Sequence, residues 1–167
     1  MIGIDPAGPT ISIRETWYKQ CQALGGDCFK FSNVVDLWMQ AKRIAYPYLP
    51  TEQAYTTQNN VDFFAAHIAP RCEIWLASKD DLLAGFLAIE GSYLDRLYVL
   101  PSLQRSGVGG ALIAKAREVS PRGLELHTHQ QNISACAFYE KHGFRAARYG
   151  TSGPPESMPD IEYHWRP

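Results

Sequence analysis

The sharpest chemical signal in the sequence is Gln104-Arg105-Ser106-Gly107-Val108-Gly109, set between a strand-like apolar run and a helix-like repeat. A helix begins with backbone N–H groups that lack intrahelical partners, and that end carries a partial positive charge. Gly107 and Gly109 have no side chains to keep phosphate oxygens from those donors, so the backbone itself offers an anion site. Two nucleotide-binding turns fail by letter. A Walker loop needs Lys and then Ser or Thr after its last glycine, but Gly110 is followed by Ala111 and Leu112. A G-x-G-x-x-G fingerprint needs glycine where Leu112 stands, and the strands before the turn form a meander rather than βαβ.

Other residues carry weaker signals. His127 and His129 alternate onto one strand face, yet no carboxylate or cysteine completes a recognised metal spacing, so no metal is expected. Tyr139 lies on a stripe with Ala135, Phe138 and His142, which on spacing alone is buried aromatic packing. Alternation puts Tyr93, Asp95, Leu97 and Val99 on one strand face.

The elements that must position these residues follow from hydrophobic period. Short apolar runs at Glu73 to Ser78, Leu82 to Glu90 and Tyr93 to Val99 are joined by links too short for crossovers, which makes three consecutive antiparallel strands. Val108, Leu112, Ala116 and Val119 then repeat at helical spacing before Pro121. Leu124 to Thr128 forms a strand, Ile133 to His142 a helix capped by Gly143, and Phe144 to Tyr149 and Ile161 to Trp165 two more strands. Upstream, a helix with Ser32 as N-cap runs to Pro47, and a second covers Asn60 to His67. The first strand is either Thr10 to Arg14 or the CFKF run ending at Phe31, and Trp17 to Leu24 reads as a brief helix.

Composition bounds the function. At 167 residues the chain suits one domain over 11–167 behind a flexible leader over 1–10. Sixteen basic against seventeen acidic side chains leave a net charge of -1, which gives no broad pull toward nucleic acid or an anionic membrane surface. No apolar run approaches the ~20 residues of a membrane span. Cys21, Cys28, Cys72 and Cys136 form no C-x-x-C pair, and reduced thiols in a cytoplasm fit them better than a disulfide framework.

What remains for the turn is Q/R-x-x-G-x-G/A after a strand, and here the sequence resembles the GNAT superfamily of N-acetyltransferases. Leu94 to Glu118 matches the family's strand, turn and helix, and Asn132 to Phe144 matches its second segment. The resemblance implies an α/β (α+β) fold, with a mixed, mostly antiparallel central sheet of about six or seven strands flanked by helices. It implies acetyl-CoA as co-substrate and a primary amine of a small molecule or peptide as acceptor, attacked directly. Leu97, Tyr98 and Val99 would bond the pantetheine arm through their backbone. The amides of Arg105, Ser106, Gly107, Val108, Gly109 and Gly110, beginning after Gln104, would hold the pyrophosphate. Asn132 would lie near the cofactor, and Tyr139 would face its sulfur as general acid, since a departing thiolate needs a proton.

The acceptor ammonium must also lose a proton. Asp95 is the nearest carboxylate in sequence, with Glu90 and a bound water as alternatives, because Tyr93 stands where some relatives carry glutamate. Trp38, Tyr46 and Tyr48 would wall the acceptor pocket by resemblance, or simply pack core and loop. The competing function class is a non-catalytic acyl-CoA-binding or sensing domain, which would keep the turn and tolerate loss of Tyr139. The IEYHW strand pairs within the chain or joins a homodimer, two readings left open by the sequence.

Overall fold

A computed structural model describes residues 10–15 and 31–167. The leader apart from Thr10, the brief helix expected at Trp17 to Leu24, and Cys21 and Cys28 lie outside the described residues. Of the two first-strand readings, Ile11–Glu15 forms strand β1, while Phe31 opens helix α1. Ser32, expected as that helix's cap, lies inside its first turn.

All seven strands join one sheet. They are β1 (Ile11–Glu15), β2 (Glu73–Lys79), β3 (Leu82–Glu90), β4 (Tyr93–Val99), β5 (Leu124–His129), β6 (Arg145–Thr151) and β7 (Pro159–Trp165), in spatial order β1-β2-β3-β4-β5-β7-β6. Every neighbouring pair is antiparallel except β4 and β5, which are parallel. The sheet is therefore the mixed, mostly antiparallel one expected. Asp80 and Asp81, both at positive φ, form the tight turn between β2 and β3, where a short polar side chain tolerates that conformation.

The helices are α1 (Phe31–Ala45), α2 (Pro50–Ala54), α3 (Thr57–Phe63), α4 (Val108–Val119) and α5 (Ile133–Lys141). Helix α3 starts earlier than apolar spacing alone indicates, because Thr56 and Asn59 form a reciprocal capping box ahead of the first buried residue. It continues into a π-helical turn at Phe64–Ile68. The short α2 has no buried residue and so leaves no hydrophobic period to read.

Ala84 through Ile89 are all buried because β3 is covered on both faces. Phe86 and Ala88 pack with Val35, Trp38 and Phe64 of the α1 and α3 layer. Leu87 and Ile89 pack with Leu112, Ile113 and Tyr139 of the α4 and α5 layer, which also takes in Leu124, Leu126, Ile161 and Tyr163. The second core thus bridges the two arms of the sheet, one on each side of the β4–β5 junction.

Candidate active site

The junction is a gap. Parallel pairing between β4 and β5 is confined to Tyr93 opposite Glu125. Past that point β4 runs on along β3 and β5 along β7, so Leu97, Tyr98 and Val99 have no strand partner on the β5 side among the described residues. Backbone donors and acceptors left on such an edge are ready to bond an extended ligand.

A bulge shapes this edge. Ile89 faces Leu94 and Ala88 faces Arg96, which leaves Asp95 as an extra residue in β4. The expected sharing of one face by Tyr93, Asp95, Leu97 and Val99 is therefore wrong: the inserted residue resets the alternation. Leu94, Leu97 and Val99 pack against the α4-side core, whereas the Asp95 carboxylate lies 3.9 Å from Arg71 and 3.4 Å from Arg96. Arg71 also holds Glu90 at 3.2 Å.

The turn from Gln104 to Gly109 leads from the end of β4 into α4. Arg105 has φ 60° and Gly107 φ 92°, the latter serving as a left-handed N-cap. Ser106 Oγ donates to Leu103 O at 2.6 Å and pins the turn. The first bond into α4 runs from Ala111 N to Gly107 O at 3.0 Å, so the amides of Val108, Gly109 and Gly110 precede it without intrahelical partners. The glycines also govern how the helices pack. A Cβ on Gly109 would stand 2.9 Å from Phe138 Cε2, and one on Gly110 would stand 3.3 Å from His142 Nε2. Those two positions let α5 lie close against α4, and Gly107 supplies the backbone conformation.

On α5, Tyr139 is 7% exposed and packs edge-on against Phe138 and Phe144. Burial pushes its hydroxyl well above the ordinary phenol value, with smaller contributions from Tyr46, Tyr93 and Cys136. It is therefore a neutral proton donor near pH 7. Asn132 is buried as the N-cap of α5, its side chain accepting from Ala135 N at 3.2 Å. Cys136 is a buried free thiol, raised from its usual pKa chiefly by burial, and so poorly suited to nucleophilic attack.

Across the gap, the residues following α1 meet the end of β5. The Tyr46 and Tyr98 hydroxyls are 3.4 Å apart, Tyr48 Oη is 3.3 Å from His129 Nδ1, and the Tyr46 and His129 rings lie 5.2 Å apart. Trp38 packs edge-on against Tyr98, and the Arg96 guanidinium lies 5.8 Å from the Trp38 ring. Trp38, Tyr46 and Tyr48 thus do stand together beside the gap. His129 and Arg96 join them without having been singled out from the sequence for this wall. The alternation of β5 was the available signal for His129, while the Arg96 environment depends on a bulge that local sequence does not announce.

The profile of the acetyltransferase (GNAT) family matches residues 33–144, from α1 through α5. The chain belongs to the GNAT acetyltransferase family. Among GNAT relatives, the peptidyl-lysine N-acetyltransferase YjaB of Escherichia coli (strain K12) is 26% identical over 136 residues, covering 81% of this chain and 82% of YjaB. The solution structure of apo-form YjaB from Escherichia coli has a TM-score of 0.71 at 22% identity, covering 93% of this chain and 97% of that one. The PaiA N-acetyltransferase of Thermoplasma acidophilum in complex with coenzyme A has a TM-score of 0.62 at 18% identity, covering 93% and 99%. The GNAT match spans the gap, the turn and Tyr139, and ends before β6 and β7.

Proposed function

We propose that this GNAT protein, acting as one domain over residues 11–167, moves an acetyl group from acetyl-CoA to the side-chain amine of a peptide lysine. The observation that carries the donor half is the unpaired β4 edge at Leu97 to Val99, which runs toward the partnerless amides at the start of α4. An extended pantetheine arm suits the former, and a pyrophosphate suits the latter together with the amides of Arg105 to Gly107. The name of the YjaB relative supports a peptidyl lysine as acceptor. We place this work on cytoplasmic peptides, a setting with which the free thiols of Cys72 and Cys136 agree.

Acetyl-CoA supplies an activated acyl group on a sulfur leaving group. The lysine nitrogen attacks the carbonyl carbon, the carbon–sulfur bond breaks, and an amide forms without a covalent acyl-enzyme. Tyr139 donates a hydrogen bond to the departing sulfur. Because burial raises its pKa, full proton transfer to a thiolate, whose own pKa is about 8.5, runs uphill, so stabilising the developing charge is the larger part of its role. The amine proton leaves through water to Asp95. His129, on the aromatic wall, is a second acceptor favoured by its place at the open end of β5.

The decisive experiment incubates the protein with acetyl-CoA and lysine peptides, following free thiol release and the peptide mass. Thiol release matched by acetylated lysine is expected. Absence of CoA binding overturns the donor assignment, and tight binding without turnover assigns the protein to the sensing class instead.

A further inference from the structure

Strands β5 and β7 turn Leu124, Leu126, Ile161 and Tyr163 into the core shared with α4 and α5. By alternation the intervening residues Glu125, His127, Glu162 and His164 share the other face. Register places them in a block, with Glu125 directly opposite His164 and His127 directly opposite Glu162. Side chains so placed start about 4.5–5.5 Å apart at Cβ. One ligand atom from each of Glu125, Glu162 and His164 lies within 4.8 Å of the others. His127 Nε2 is 3.8 Å from Glu162 Oε2, and His164 Nε2 is 2.7 Å from Glu162 Oε1. Beside the block opens a cavity of about 290 Å³, lined in part by His127, Arg148, Asp160 and Glu162.

We propose that Glu125, His127, Glu162 and His164 form a binding site for a divalent transition cation, zinc foremost. Two imidazoles with carboxylates are a nitrogen and oxygen set suited to zinc, whose bonds of about 2.0–2.2 Å put tetrahedral ligands roughly 3.3–3.5 Å apart. The present separations bracket that spacing, so rotamer adjustments on paired, rigid strands suffice. Arg148 now holds Glu162 Oε2 at 2.8 Å and Arg166 holds Glu125 Oε1 at 3.0 Å. Both arginines are largely exposed, such pairs contribute little, and each can swing into water when a cation takes its place. Spacing along the chain gives no hint of this site, because its ligands come from two strands brought together only by the fold.

The test titrates zinc into the full chain, by calorimetry and by competition with a chromophoric chelator, so the readout is bound metal and does not depend on acetyl transfer. The His127→Gln/His164→Gln double variant is expected to lose one bound equivalent, and Glu162→Gln to weaken binding at least tenfold. Arg148→Ala is expected to tighten it severalfold by freeing Glu162. His67→Gln, an exposed histidine elsewhere, leaves binding unchanged. Equal stoichiometry and affinity in the wild type and the double variant overturn the proposal, as does a wild-type chain that takes up no zinc at micromolar concentrations. Arg148→Ala keeps all four ligands, so a loss of binding there also counts against it.

Discussion

Tyr139 is wedged between Phe138 and Phe144, and that packing both fixes its hydroxyl and keeps it protonated. Replacing it with phenylalanine keeps the ring and removes only the donor. Tyr139→Phe should lower kcat about 10²-fold while coenzyme A affinity stays within a factor of two or three, as steady-state kinetics and calorimetry will report. The two proton acceptors separate in the same way: if Asp95 receives the amine proton, Asp95→Asn lowers kcat at least about tenfold and His129→Gln leaves it nearly unchanged, and the reverse assigns the role to His129. At this scale the sequence was legible where backbone conformation rests on letters at fixed spacing, as at Gly107, whose φ of 92° the turn requires. It was illegible where function rests on residues far apart, such as the contact of Arg71 with Asp95. The bulge at Asp95 belongs there too, since a charged residue in a strand looks the same whether or not a partner faces it.

Helix α4 and helix α5 approach closely because Gly109 faces the Phe138 ring with no Cβ between them. Gly109→Ala forces that ring to move and should cost about 1–3 kcal/mol of stability in urea titrations, with a weakened acetyl-CoA site, because the same residue supplies an amide to the turn. Between α1 and α2, Lys42 meets Glu52 at 2.7 Å with both side chains buried, and it also donates to Asn60 Oδ1 at 2.8 Å. Burial lowers the Lys42 pKa despite the carboxylate. Lys42→Met strands Glu52 and should cost about 3–5 kcal/mol, whereas Lys42→Met with Glu52→Leu should recover most of it; a double variant no better than the single would show that the pair is not the source of the loss. Strand and helix identities were readable because β3 and α4 carry long apolar patterns. The short α2 was not, because it buries no hydrophobic side chain and is set instead by Pro50 at its start.

Across the whole molecule the sheet is two arms that meet at one residue pair and are held together by the core beneath α4 and α5. A ligand lying in the gap would tie the arms to each other. Saturating acetyl-CoA should therefore slow amide exchange at Leu97 to Val99 and raise the midpoint of thermal unfolding by about 5–10 °C at a hundredfold excess over Kd, roughly 2.7 kcal/mol of linkage. Protection confined to other strands would remove the gap as the donor site. The family's order of elements was legible from the turn outward, and the resemblance pointed to Trp38, Tyr46 and Tyr48; the approach of His129 to Tyr46 and Tyr48 was not legible, since these residues meet only after the chain has crossed the sheet. The placement of β7 between β5 and β6 has its own consequence for the life of the chain on the ribosome. Strands β5 and β6 are made first, yet neither borders the other, and among the described residues β6 pairs only with β7. Until residues 159–165 emerge, two earlier strands expose unsatisfied edges, so this arm is the stretch where a stalled nascent chain would be most open to chaperones and to misassembly.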